Sequence, residues 1–247
     1  MNSPYEILAK YYDTITWPAQ DKRNKAILAI AEKHGLHSLC DFGCGTGLLI
    51  KLFLEHNLEA SGCDLSEEMI EVAKTNIAGR NDRTVAVQDM IKYIPPPLVD
   101  LATCNYDTVN YLLSQDLWKT FFANVYDSLS NNGLFLFDFV TLYDLRECWP
   151  GYKQYYEGDS WALLRTAEYN ASNDIGLEWF HWYVYHDGVW SRDTEKHLHT
   201  SMGKDIVRDL LFSVGFANIS MRDADTGGEV YDNETTRIEI IAFKENK

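Results

Sequence analysis

The sequence predicts an open α/β architecture: a mostly parallel sheet with helices on both faces, carrying a small antiparallel β insertion. Three observations predict it. Apolar strand-like runs alternate with amphipathic helical stretches at short intervals from residue 21 to residue 140, the pattern of repeated strand–helix–strand units. A glycine-rich turn, "DFGCGTG" (41–47), stands where the first such strand meets a helix. Composition then shifts: residues 149–190 hold 12 of the chain's 33 aromatic residues, and Asp187-Gly188 between two long β-prone runs signals a tight hairpin.

Each element has its own signal. After a Tyr-rich segment over residues 1–20, residues 21–34 place Ile27, Leu28, Ile30 and Ala31 on one helical side, and Gly35 ends the helix. "HSLCDF" (37–42) is a buried strand, the glycine turn follows, and "LLIKLFLEH" (48–56) is helical. "LEASGCDL" (58–65) is the second strand. Ser66 caps the next helix, with Glu67 and Glu68 in the first turn where carboxylates suit the helix dipole, and Gly79 stops it. "RTVAVQD" (83–89) and "LVDLATCN" (98–105) are strands. Ser114 caps a helix that Asn131-Asn132-Gly133 terminates, and "LFLFDFV" (134–140) is a strongly apolar strand. In the aromatic region an antiparallel sheet of about three strands is expected, from "SWALLRTAEY", "LEWFHWYVYH" and "VWSRDTEKHLHT". Ser201 caps a last helix ending at Gly215, and residues 217–223 and 236–244 close the chain as strands.

Composition narrows the function. The net charge is −15, with 37 acidic residues against 22 basic, and no Lys/Arg cluster offsets it. Such a surface repels phosphate backbones, so nucleic acid is not the expected partner. No stretch approaches the roughly 20 apolar residues of a membrane span. The N-terminus lacks the basic start and apolar centre of a secretion signal, so a cytoplasmic location is expected. The five cysteines show no Cys-x-x-Cys pair; buried reduced thiols are expected, and neither disulfides nor a metal site.

The glycine turn carries the chemistry. A glycine-rich turn between strand and helix lets a ligand approach the backbone where helix N–H groups are unsatisfied. Dinucleotide sites use G-x-G-x-x-G for a pyrophosphate. Here the spacing is Gly43-x-Gly45-x-Gly47, with Asp41 two positions ahead. A carboxylate there disfavours a phosphate and suits a ligand with a cationic amino group. At these residues the chain resembles the class I S-adenosylmethionine-dependent methyltransferases, whose motif is an acid, an apolar residue, then G-x-G-x-G. The resemblance continues through "SGCDLSEEMI" (61–70), "VAVQDM" (85–90) and the segment 100–139. It implies a Rossmann-like seven-stranded sheet and S-adenosylmethionine as cofactor. It also implies that Asp64 holds the ribose hydroxyls with Leu65 beside it in the cofactor site, that Asp89 lies near the adenine amino group with Met90 beside it, that Met69 packs on the adenine face, and that Asn105 meets the methionine portion or the substrate. Within the superfamily the insertion resembles that of sugar N-methyltransferases and glycine N-methyltransferase-like enzymes. "NYDT" (105–108) lacks the Asn-Pro-Pro-Tyr of the amine methyltransferases acting on nucleic acid or protein glutamine.

On that resemblance residues 1–148 form an N-terminal lid and cofactor core, 149–200 an aromatic insertion shaping part of the acceptor site, and 201–247 the last helix and edge strands. The expected reaction is in-line methyl transfer to a nitrogen or oxygen of a small molecule, which needs positioning and no covalent nucleophile or metal. Tyr12 in "YYDTI" is the first candidate base and Asp107 the second, each with a packing or turn role as its alternative. Tyr11, Tyr106, Trp179, His197 and His199 are candidate acceptor-binding residues; for the two histidines a satisfied strand face is the competing reading. One aromatic face of the insertion could wall the pocket, while the other forms the insertion core or a homodimer contact. A noncatalytic cofactor-binding protein and a nicotinamide-dependent oxidoreductase are the competing functions, the latter lacking its glycine spacing here.

Overall fold

The computed structural model describes residues 4–79, 84–95 and 97–245. Seven strands form one sheet in the order β10-β11-β5-β4-β1-β2-β3. These are β1 (Ser38–Phe42), β2 (Glu59–Asp64), β3 (Val85–Val87), β4 (Val99–Cys104), β5 (Leu129–Val140), β10 (Phe216–Asp223) and β11 (Arg237–Lys244). β1 to β5 run parallel; β11 is antiparallel to both β5 and β10. The sheet order reverses between β1 and β4, so a crevice opens beyond their carboxyl ends. α2 (Ala19–His34), α3 (Leu48–Glu55) and α4 (Glu67–Asn76) cover one face, α5 (Gln115–Ser128) and α6 (Lys204–Val214) the other. β5 is buried from Gly133 to Val140, because both of its faces meet helices.

The second sheet is antiparallel: β6 (Lys153–Gly158), β7 (Trp161–Asn170), β8 (Ile175–His186) and β9 (Val189–His199). It has one strand more than expected. β6, "KQYYEG", lies at the sheet edge with its side chains largely exposed, so it never shows an apolar alternation. On β8, Phe180, Trp182 and Val184 are buried against Leu8 and Tyr11 of α1 (Leu8–Thr16). Tyr183 and Tyr185 alternate outward and are exposed.

Three further expectations are corrected. Asn131-Asn132-Gly133 does not end α5; the helix stops at Ser128, and those residues form an irregular start of β5, with Asn132 at φ 62°. Gly133 is required there because a Cβ would lie 2.9 Å from the Ser130 carbonyl oxygen. Ser201 does not cap α6, whose N-cap is Gly203; its hydroxyl instead donates to the Val140 carbonyl at 2.6 Å. The third strand is short, Val85–Val87, and its expected start at Arg83 falls outside the described residues. Cys40, Cys44, Cys63 and Cys104 are free and buried, and Cys148 is exposed. Among the described residues no helix is long and apolar enough to cross a membrane.

Candidate active site

A cavity of about 600 Å³ opens at the carboxyl ends of β1, β2 and β4. The three glycines that frame it do different work. Gly43 (φ +72°) lets the β4 loop close in: a Cβ there would sit 2.3 Å from Thr108 Cγ2. Gly47 (φ +73°) caps α3 and would press 3.0 Å against Ala73 of α4; it does not line the cavity. Gly45 (φ +52°) faces the cavity, where a Cβ would stand 4.0 Å from both Met69 Sδ and Tyr12 Cε1. The left-handed backbone at all three favours glycine. Gly62 on β2 is a fourth constraint that the motif does not announce, since a Cβ would meet the Asp41 carbonyl at 2.6 Å.

Asp41, Asp64 and Asp89 all line this cavity, as do Leu65, Met69, Met90 and Asn105. Asp64 accepts the Gly45 N–H on one oxygen and the Ser66 N–H on the other, both at 2.9 Å. Each oxygen keeps a lone pair for a ligand hydroxyl. Ser66 then caps α4 by accepting the Met69 N–H at 3.1 Å. Asp41 is almost fully buried and accepts the Thr103 hydroxyl at 2.6 Å. Burial, together with the nearby Asp64 charge, pushes its carboxyl up to about 7 despite that hydrogen bond. Asp89 folds its loop back by accepting the Ile91 N–H at 3.1 Å. Asn124 of α5 clamps the same loop through the Met90 and Tyr93 carbonyls at 2.8 and 2.7 Å.

Beyond β4 two consecutive residues, Tyr106 (φ 57°) and Asp107 (φ 53°), adopt the left-handed conformation. Asp138 of β5 holds them there, accepting their N–H groups at 3.1 and 2.8 Å. Asp138 also pairs with Arg23 at 3.1 Å and Arg237 at 2.6 Å. Burial alone would raise this carboxyl, but Arg237, Arg23 and the two N–H groups hold it below its ordinary value. Neither arginine nor Asp138 was visible as a site residue in the sequence, because the network joins α2, β5 and β11.

The candidate catalytic and acceptor residues divide. Tyr12 and Tyr106 line the cavity, with Tyr5 and Tyr111 beside them. Burial and the Asp107 charge push the Tyr12 phenol above its ordinary value, so it keeps its proton at neutral pH and can hydrogen-bond within the cavity. Asp107 is turned away into an ion pair with Arg237 at 2.7 Å. Tyr11 packs between Trp161 and Trp182 at 4.9 and 5.2 Å, outside the cavity lining. Trp179 lies on the outer face of β8 under the Lys196 ammonium. His197 and His199 do share a face, the inner one, and are fully buried behind the cavity wall. Burial and neighbouring cationic groups hold both near 3, so they are neutral at physiological pH.

α1 ties the two sheets together over the cavity. At its start Glu195 of β9 accepts the Ile7 and Leu8 N–H groups at 2.7 and 3.3 Å and the Trp182 indole N–H at 2.8 Å. Near its end Asp13 accepts the Thr46 hydroxyl at 2.5 Å and the Asn76 amide at 3.2 Å. Asp13 stands in the quoted "YYDTI", but nothing local marks its partners.

Comparison with known proteins bears on this geometry. Residues 39–133, the stretch from β1 to the start of β5, match the methyltransferase domain family. A putative methyltransferase of Geobacillus sp. strain WCH70 is 29% identical over 97% of this chain and 99% of its own length. Residues 39–133 carry a methyltransferase domain within the class I methyltransferase fold, a family whose cofactor is S-adenosylmethionine. The enzyme also shares its fold with an S-adenosylmethionine-dependent methyltransferase from Clostridium acetobutylicum, with a TM-score of 0.82, 23% identity, and coverage of 98% and 99% of the two chains. The S-adenosylmethionine-bound amino pentose methyltransferase CalS10 from Micromonospora echinaspora has the same fold, with a TM-score of 0.72, 16% identity, and coverage of 99% of both chains.

The residues present fit the cofactor. An aspartate with free lone pairs, a glycine that leaves the backbone open, and a buried carboxyl suited to an ammonium line one cavity. The thioether of Met69 and the side chain of Met90 supply apolar surface in the same space.

Proposed function

We propose that the enzyme transfers the methyl group of S-adenosylmethionine to a nitrogen of a small amine-bearing molecule by direct in-line displacement. The observation that carries this reading is a box of four tyrosines, Tyr5, Tyr12, Tyr106 and Tyr111, in the same cavity as the cofactor residues. In the reaction the C–S bond breaks as the C–N bond forms. Sulfur keeps the electron pair, and positive charge moves onto nitrogen before a proton leaves. Aromatic faces stabilise a cation by about 0.5–2 kcal/mol each, so a tyrosine box suits an acceptor that becomes charged. Two buried polar atoms without a hydrogen-bond partner among the described residues, the Tyr106 hydroxyl and Gln20 Oε1, belong to residues that line the same cavity and can meet polar groups of the acceptor.

In this reading Asp41 faces the cofactor's amino group, Asp64 its ribose and Asp89 its adenine. Gly45 provides the close approach, and Tyr12 orients the acceptor. Asp138 and Arg237 fix the loop carrying Asn105 and Tyr106. The amino pentose substrate class named for CalS10 supports an amino sugar as the acceptor.

The test is product analysis with matched pairs: amino sugars and the corresponding hydroxy sugars, each incubated with enzyme and S-adenosylmethionine. The expected result is one methyl group on the amine and one S-adenosylhomocysteine released per transfer. Methylation confined to the hydroxy partners contradicts nitrogen transfer. Turnover with protein or RNA alone contradicts a small acceptor.

A further inference from the structure

Buried hydroxyls and imidazoles need partners, and two tyrosines of the box find theirs in a chain with a histidine behind it. The Tyr5 hydroxyl lies 2.7 Å from the Tyr111 hydroxyl, which lies 2.7 Å from His197 Nδ1. The chain thus runs from the cavity wall, through the short helical turn after β4, into β9. His197 has no exposed surface, and its Nε2 has no hydrogen-bond partner among the described residues. Its ring is enclosed by Phe180 at 4.4 Å and by Tyr5, edge-on, at 5.0 Å.

Such a chain has two neutral polarities. In one, Tyr5 donates to Tyr111, Tyr111 donates to Nδ1, and the imidazole proton sits on Nε2. The Tyr5 oxygen then offers its lone pairs to the cavity. In the other, Nδ1–H donates to Tyr111, Tyr111 donates to Tyr5, and the Tyr5 proton points into the cavity. A charged third form is disfavoured by what surrounds the imidazole. Arg165 and His199 face it. Glu178, opposite it on β8, is engaged by Arg165 at 3.0 Å, and Asp107 is engaged by Arg237. The chain is a switchable dipole and not a proton store.

An amine nucleophile directs its lone pair at the methyl carbon and has only N–H groups left to offer the protein. It therefore needs an acceptor, the first polarity. Along the cavity Tyr12 stands next to Gly45, and Tyr5 stands next to Tyr12 with ring centroids 6.3 Å apart. Tyr5 is thus displaced from the glycine turn by one ring, within the same cavity.

We propose that the Tyr5 hydroxyl oxygen accepts the N–H of the methyl acceptor, and that Tyr111 and His197 are positioning residues that set its polarity. The inference rests on the amine reading above and adds the group that orients the nitrogen.

Sinefungin is a probe that needs no knowledge of the acceptor, because it carries an amine-bearing carbon where the cofactor has its methyl-bearing sulfur. The measurement is the ratio of its affinity to that of S-adenosylhomocysteine, by calorimetry, for wild type and variants. Tyr5→Phe is expected to weaken sinefungin by about tenfold, the scale of a hydrogen bond to a charged group, and to leave S-adenosylhomocysteine unchanged. Tyr111→Phe and His197→Leu are expected to lower the ratio by a smaller factor. His197→Asn, which keeps a hydrogen-bonding atom near the Nδ1 position, is expected to restore it; a merely structural histidine predicts no such rescue. Should His197→Leu fail to fold, Tyr111→Phe carries the same test with its volume conserved. An unchanged ratio in Tyr5→Phe overturns the proposal, and so does a loss confined to Tyr12→Phe. Amine methylation with an unchanged Tyr5→Phe ratio sinks this assignment alone. Failure of the amine reading appears separately, in the product masses.

Discussion

At the cofactor end of the cavity Asp41, Asp64 and Asp89 come from three successive strand ends within residues 41–89; Asp64 and Asp89 are held by backbone N–H groups two residues on, and Asp41 by Thr103 on the neighbouring strand β4. At the acceptor end Tyr5 meets Tyr111 across 106 residues, and Tyr111 meets His197 across another 86. The first end is a local device repeated along a regular sheet. The second is a junction, where α1, the loop after β4 and the second sheet close on one another. A junction of this kind can change its acceptor by exchanging residues on any one of its three parts, whereas the cofactor end cannot move without the sheet.

The two ends should respond differently to substitution. The largest effect is expected from Gly45→Val, which places a branched side chain at φ +52° in the space between Met69 and Tyr12. Calorimetry should detect no S-adenosylhomocysteine binding at concentrations that saturate the wild type, with circular dichroism reporting an intact fold. Normal binding would move the ligand away from this turn. Asp64→Ala removes a carboxylate already oriented by Gly45 and Ser66. Cofactor affinity should fall by at least about 1.5 kcal/mol, roughly tenfold. Unchanged affinity in a folded variant would remove the ribose assignment.

Asp41 gives a pH signature. Its carboxyl is raised to about 7 by burial and by Asp64, so the folded protein holds it neutral at a pH where the unfolded chain has already ionised it. Stability therefore falls as pH rises from the unfolded value near 4 towards 7, and Asp41→Asn should raise the melting temperature at pH 8. Binding runs in the opposite sense, because only the ionised carboxyl pairs with the cofactor ammonium. S-adenosylhomocysteine affinity should rise by about tenfold between pH 6 and pH 8 in the wild type and stay flat in Asp41→Asn. A flat wild-type profile would place the ammonium elsewhere. The smallest effect belongs to the acceptor end: Tyr12→Phe should slow turnover several-fold while leaving S-adenosylhomocysteine affinity as it is. Equal losses in both would make Tyr12 a cofactor residue.

The same contrast explains what could be read in the sequence. The strands of the main sheet were legible because each is a short apolar run with a glycine, an acid or a capping serine at its end. The glycine turn was legible as a site, though Gly43 and Gly47 serve packing on Thr108 and Ala73, and Gly47 does not line the cavity at all. Ser201 read as a cap because serine before a helix usually is one; its hydroxyl was drawn to the Val140 carbonyl instead. β6 was missed because an exposed edge strand leaves no apolar period. At the acceptor end the residue types were visible and their relations were not. Tyr11 and Tyr12 are adjacent, yet the helical turn sends one into the second sheet's core and the other into the cavity. Nothing in "RDTEKHLHT" says that His197 will find Tyr111, and nothing near Arg23 points to Asp138 or Asn105.

The most direct test of the central claim is calorimetric titration of the purified enzyme with S-adenosylhomocysteine, with NADH in parallel. Saturable binding of S-adenosylhomocysteine at micromolar strength, and no heat from NADH, is the predicted result. A folded protein that takes NADH and not S-adenosylhomocysteine would contradict the assignment of the Gly45–Asp64 cavity and every role derived from it.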